Sequence, residues 1–191
     1  AVPFLLTLTF RRIGLFNKLD REEEANVPTL GNDTPKKSGA IVELFAPIAG
    51  MLHPLSSAKA PVFAEGMMGQ GVVIDPSEGK LVAPFDGQIS LLFPTKHAIG
   101  LISTAGTEVL IHIGIDTVQL DGKYFTSHVQ QGDSVKKGQL LMEFDVEAIK
   151  AAGYEVQTPI IVTNSTDFQV DSLIEEAPVT SDEKILIATE L

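Results

Sequence analysis

Apolar runs of strand length recur along the chain from residue 41 onward, each bounded by glycine, proline, aspartate or another turn former. They fall at residues 41–45, 71–74, 80–83, 88–93, 98–103, 108–113, 139–144, 159–163 and 184–189. Many short runs with turn signals between them predict an all-β sandwich or barrel. Residues 146–152, within DVEAIKAAG, alone have a helical look, with Gly153 as the stop. A doubly wound parallel sheet needs several long helical crossovers, and the pattern has none. Ala46-Pro47-Ile48-Ala49-Gly50 recurs as Ala83-Pro84-Phe85-Asp86-Gly87, each ahead of an apolar stretch. Proline at a strand edge followed by a glycine turn is ordinary β punctuation, and two copies also fit pseudo-symmetric halves of one barrel.

Ahead of this domain, expected from residue 40 to 191, the pattern changes twice. Residues 20–39 are charged and rich in Pro, Gly and Asn without periodicity, which reads as a flexible linker. Residues 1–19 open with AVPFLLTLTFRR and continue through GLFNKL. Nine or ten apolar residues do not span a bilayer, and a basic pair after the apolar run does not suit a signal peptide. The segment reads as the end of a membrane domain, as an amphipathic anchor on the membrane surface, or as a terminus without a role. The absence of an initiator Met suggests a chain processed or cut from something longer.

Composition narrows the chemistry. The 191 residues carry 14 Lys+Arg against 25 Asp+Glu, a net charge of −11, with 44% hydrophobic residues and no cysteine. This is a globular composition whose acidity disfavours nucleic acid and favours a basic docking face on another protein. Without cysteine there is no disulfide, thiolate metal site or cysteine nucleophile. No G-x-S-x-G elbow, phosphate-binding glycine loop or H-E-x-x-H motif is present.

By count a Ser-His-Asp triad stays open, and a lone histidine in a strand is more often a half-buried residue satisfied by a backbone carbonyl than a catalyst, but two in adjacent strands weaken that reading. His97, in FPTKHAIGL, and His112, in EVLIHIGIDTV, both lie inside strand patterns, and Thr104 to Thr107 between their strands is a hairpin-sized loop. Pairing across it brings the two histidines into neighbouring strands. Alternation places Thr95 on the face of His97, and Val109, Ile111 and Ile113 opposite His112. A converging pair opens two chemistries. Neutral imidazole is a competent phosphoryl acceptor, with the second imidazole and the Thr95 hydroxyl donating to the phosphoryl oxygens. Alternatively the pair binds a metal, although zinc prefers three or four ligands and the third, Asp116, lies beyond Gly114 where the strand turns. Spacing does not choose between them. His53 and His128 read as surface or packing residues. GDSVKKGQLLMEFD has the cadence of a biotin or lipoate carrier hairpin, but Lys136 and Lys137 sit inside the turn, so a structural turn fits better.

The stretch from Glu43 to Phe168 resembles the IIA domain of the glucose and β-glucoside families of the bacterial phosphoenolpyruvate-dependent sugar phosphotransferase system. The resemblance runs through LFAPIAG, PVFAEGMMGQG, APFDGQI, FPTKHAIGL, VLIHIGIDTVQLDGKYF and TPIIVTNS, with LIHIGIDTV the most specific element. It implies an antiparallel β-sandwich with Greek-key character and one or two short helices. It implies that His112 takes phosphate from the carrier HPr, as a tele-phosphohistidine, and passes it to a cysteine on a IIB domain. His97 is then the second active-site histidine, Thr95 its support, and Gly114 and Asp116 line the site. Val62, Phe63, Met67, Met68, Phe93 and Val118 fall at or near an apolar docking rim. Many relatives carry a carboxylate two positions before Val62-Phe63-Ala64; here Ala60 and Pro61 stand there, which leaves Asp116 as the one family carboxylate.

The resemblance further implies no resident cofactor, zinc at His97 and His112 only with a partner's help, and a location on the cytoplasmic face of the bacterial membrane. A chain without cysteine cannot contain the IIB domain, and residues 1 to about 12 would be the tail of a membrane IIC domain. The alternative is a regulatory IIA-like module, freestanding or fused to a sugar symporter.

Overall fold

A computed structural model describes residues 39–191 of the chain. The expectations for residues 1–19, and for all of the linker but Gly39, lie outside the described residues. Fourteen strands follow in order: β1 (Ile41–Phe45), β2 (Gly50–Pro54), β3 (Gln70–Pro76), β4 (Lys80–Val82), β5 (Gly87–Leu92), β6 (Ala98–Ser103), β7 (Glu108–His112), β8 (Phe125–Ser127), β9 (Ser134–Val135), β10 (Leu140–Phe144), β11 (Thr158–Val162), β12 (Phe168–Ser172), β13 (Ala177–Val179) and β14 (Lys184–Glu190). Every pairing is antiparallel. An eight-stranded sheet has the order β13-β2-β3-β11-β7-β6-β5-β9, and two three-stranded sheets have the orders β1-β14-β12 and β4-β10-β8. This is the all-β architecture expected from the pattern, in the antiparallel sandwich form that the resemblance implies.

All nine expected runs are strands. Five further strands escaped the pattern: β8, β9 and β13 are only two or three residues long, β12 is FQVDS, buried only at Phe168, and β2 is GMLHP, flanked by glycine and proline and without an apolar run. The helix Val146–Ala151 is there, with Asp145 as its cap: the Ala148 N–H donates to Oδ1 at 2.9 Å. Gly153, at φ 90°, ends it. The Pro61–Ala64 helix, one turn long, was too short to read.

The repeated Ala-Pro-x-x-Gly segments mark two topologically equivalent halves. The eight-stranded sheet reads β13-β2-β3-β11 from one edge and β9-β5-β6-β7 from the other, and each half contributes one small sheet. The half from β4 to β10 is thus inserted between β3 and β11 of the other. The two repeats bond crosswise, Phe45 N to Pro84 O at 3.0 Å and Val82 N to Pro47 O at 2.8 Å.

One face of the large sheet, through Ile74, Leu101, Ile111 and Ile160, joins Leu44, Leu81 and Ile185 of the small sheets in a single core. Residues of these central strands on the other face, Val73, Ala98, Leu110 and Ile161, are buried yet outside that core. The excursion between β2 and β3 passes over this second face, where Phe63 packs on the ring of His112. Burial of each large aliphatic contributes roughly 1.5–3 kcal/mol.

Gly50 and Gly87 close the two repeats against neighbouring strands. A Cβ at Gly50 would lie 2.1 Å from the Asp75 carbonyl oxygen, and one at Gly87 2.3 Å from that of Ile102. Gly50→Ala and Gly87→Ala should each lower the unfolding free energy by about 2–3 kcal/mol in chemical denaturation. Losses within 0.5 kcal/mol or so, the range of ordinary surface substitutions, would contradict the close packing.

Candidate active site

The site is built on the β6–β7 hairpin. Ser103 Oγ accepts from the N–H groups of Ala105 and Thr107 and so closes the turn. The register sets Ala98 opposite His112, and the Ile113 N–H donates to the His97 carbonyl at 2.7 Å. The imidazoles therefore meet, with ring centroids 5.0 Å apart and planes at 74°. One expectation needs correction: His97 lies just before β6, not inside a strand. Thr95 and His97 sit on the tight turn after β5, where the Lys96 N–H donates to Phe93 O and Lys96 adopts φ 56°. That turn, and no strand alternation, brings the Thr95 hydroxyl to 2.6 Å from His97 Nδ1.

His112 Nδ1 lies 2.7 Å from the Gly114 carbonyl oxygen. A carbonyl only accepts, so Nδ1 carries the proton and Nε2 keeps its lone pair. Gly114 has φ 76°, and a Cβ there would meet Thr117 Cγ2 at 2.5 Å and the Glu155 carbonyl oxygen at 2.6 Å. Only glycine fits. His97 is fully buried and its Nε2 has no hydrogen-bond partner. Phe63 flanks His112 at 5.3 Å and Phe93 flanks His97 at 5.2 Å between centroids.

Burial sets the charge state. Desolvation, assisted by the neighbouring His112, pushes His97 down to about 3. Desolvation also lowers His112, opposed by the Gly114 hydrogen bond and the Asp116 charge. Both rings are neutral at physiological pH. Two neutral imidazoles, one with a free lone pair on Nε2 and one with an unsatisfied nitrogen beside it, can accept an electrophile and solvate the oxygens it brings.

A family model described as "phosphoenolpyruvate-dependent sugar phosphotransferase system, EIIA 1" matches residues 42–168. The chain is 51% identical over 147 residues to the β-glucoside-specific EIIBCA component of Dickeya chrysanthemi, covering 76% of this chain and 23% of that protein. It is 44% identical over 162 residues to the Bacillus subtilis (strain 168) protein of the same description, covering 84% and 27%. Among solved structures, glucose permease IIA from Mycoplasma capricolum superposes with a TM-score of 0.73 at 33% identity, covering 78% of this chain and 96% of that one. The chain belongs to the EIIA 1 family of the sugar phosphotransferase system. It is a phosphotransferase component, and it spans about a quarter of the length of the curated relatives it matches.

For this EIIA domain the expected apolar rim needs revision. Phe63 and Met68 are 5% and 4% exposed, Phe63 packed on the His112 ring, so neither offers an exposed side chain to a docking surface. Met67 is exposed, and Val62, Phe93 and Val118 are half-buried. Asp116 is exposed in a left-handed conformation at φ 59°. Among the described residues no group of three His, Cys, Asp or Glu side chains is placed to hold a metal ion. His53 lies between Asp75 and Glu176, each at 3.2 Å, and His128 pairs with Glu143 at 2.8 Å, both remote from the histidine pair in the sheet order. Lys136 pairs with Asp86 at 2.9 Å, and the Lys137 ammonium lies 3.7 Å from the Phe45 ring centroid, as a structural turn requires. Sequence reasoning passed over Thr117 and Glu155, whose contacts with the loop after His112 carry no motif.

Ring 15N shifts recorded from pH 7 to pH 4.5 should show His97 neutral throughout. A His97 midpoint near the ordinary 6.5 would contradict the burial argument.

Proposed function

We propose that His112 accepts a phosphoryl group on Nε2 from phosphorylated HPr and passes it to a cysteine of a IIB domain, coupled to sugar import. The observation that carries this reading is the Nδ1–Gly114 contact, which leaves Nε2 as the nucleophilic nitrogen, next to the unpartnered Nε2 of His97. In the forward step the N–P bond of the donor breaks, its electron pair remaining on the donor imidazole, as a bond forms from phosphorus to His112 Nε2. The proton stays on Nδ1, donated to the Gly114 carbonyl, throughout. On this reading the Thr95 hydroxyl, 2.6 Å away, donates to His97 Nδ1, and His97 then carries its proton on Nε2 and directs it to a phosphoryl oxygen. Onward transfer reverses the chemistry: a thiolate takes the phosphorus, and His112 returns as neutral imidazole.

The half-buried Val62, Phe93 and Val118 with exposed Met67 suit sequential docking of two proteins, and the net charge of −11 suits a carrier with a basic face. The relatives' description as EIIBCA components supports IIB and IIC domains as partners on the same polypeptide or in the same complex, and favours a phosphotransferase over a symporter-fused regulatory module. On this reading the domain works at the cytoplasmic face of the membrane and needs no resident cofactor. Zinc would bind His97 and His112 only when a partner adds a ligand.

Incubation with phosphoenolpyruvate, enzyme I and HPr should add the mass of one phosphoryl group to the chain, and His112→Ala should abolish the gain. An unchanged wild-type mass, or label retained by His112→Ala, would sink the assignment. His97→Ala should slow onward transfer to IIB by about 100-fold or more while initial phosphorylation suffers less, since it removes a donor to the transferring group. Equal loss in both steps would contradict the role given to His97.

A further inference from the structure

The carbonyl that fixes the His112 tautomer belongs to the Gly114–Ile115 peptide, and that peptide is held at both ends. Its oxygen accepts from His112 Nδ1 at 2.7 Å, while its N–H donates to the Glu155 carbonyl at 3.0 Å. The peptide cannot rotate without breaking both bonds. What holds the loop in place around it is Thr117, the first residue of the 3-10 turn Thr117–Leu120 and fully buried. Its hydroxyl donates to the Ile113 carbonyl at 2.5 Å, closing a ring around Gly114 to Asp116. Its methyl group stands where a Gly114 side chain would be. Asp116, a non-glycine residue at φ 59°, holds the loop in a left-handed conformation that costs free energy, and the clasp offsets it.

We propose that Thr117 is a positioning residue for the phosphoryl acceptor: by clasping the loop it holds the Gly114 carbonyl on Nδ1 of His112 and keeps the lone pair on Nε2. Without the clasp the carbonyl moves off Nδ1, the ring gains access to the other tautomer, and the lone pair is divided between the two nitrogens. The kinetic consequence rests on the acceptor role proposed above for His112. The tautomer does not, because it is a property of the unphosphorylated chain.

Thr117→Val keeps the shape and the methyl packing and deletes the hydroxyl. Long-range 1H–15N spectra of the unphosphorylated full chain should show one His112 tautomer, protonated at Nδ1, in wild type and in Thr117→Ser, and a mixture in Thr117→Val. The rate of phosphorylation by phosphorylated HPr should fall about tenfold in Thr117→Val and recover in Thr117→Ser, the size expected when a ligand-orienting neighbour is removed. A folded Thr117→Val with the wild-type tautomer, or loss of that tautomer in Thr117→Ser, overturns the proposal. If Thr117→Val does not fold, Thr117→Ala, which leaves room for water at the Ile113 carbonyl, is read by the same spectra. A wild type that shows the single tautomer but takes up no phosphate refutes the acceptor role and leaves the positioning role standing.

Discussion

The Gly114 carbonyl accepts from Nδ1 of His112, and a carbonyl oxygen has no proton to give, so this contact decides which ring nitrogen keeps a lone pair. In water a free imidazole exchanges tautomers and takes up a proton near neutrality. Here burial removes the second freedom and the carbonyl removes the first. The fold around the site follows from the need to hold that carbonyl. Glycine is required at position 114, the Glu155 carbonyl must approach to catch the N–H of the same peptide, and Thr117 must turn back to the strand it has just left.

The second constraint is where the histidine pair sits. Both imidazoles lie on the face of the large sheet that turns away from the main core, under the excursion between β2 and β3. A site inside the main core would be inaccessible to another protein, and one on bare sheet would leave both rings hydrated and ready to protonate. The excursion supplies Phe63 as an apolar cover for His112, and the turn after β5 supplies Phe93 for His97. The sandwich beneath is stabilised independently, by two topologically equivalent halves that share one core. The candidate site therefore sits on a sheet whose other face is anchored in the main core.

What the sequence revealed follows the range of the forces concerned. Strands β1 and β6 were legible to the residue, β1 through alternating burial and β6 as a continuous apolar run between turn formers, both local features, and the hairpin of β6 and β7 made the meeting of His97 and His112 predictable from a four-residue loop. Strands β8, β9, β12 and β13 were not, because short or half-solvated strands are defined by the neighbours they pair with. At the site, Thr95 was found for a reason that differs from the actual one: a turn brings it to His97, not alternation along a strand. Phe63 and Met68 look like surface anchors in sequence because their burial arises from a segment folding over a distant sheet. The contacts of Thr117 and Glu155 are a hydroxyl to a carbonyl and a carbonyl to an N–H, and no residue-type pattern records those.

The central claim is that backbone geometry, through one carbonyl, makes Nε2 of His112 the phosphoryl-bearing atom. It is tested most directly by assigning the phosphorus-bearing nitrogen in the phosphorylated, 15N-labelled chain from one-bond 31P–15N coupling. Coupling of phosphorus to Nε2 of His112 is the expected result. Coupling to Nδ1 of His112, or to a nitrogen of any other histidine, would contradict the account.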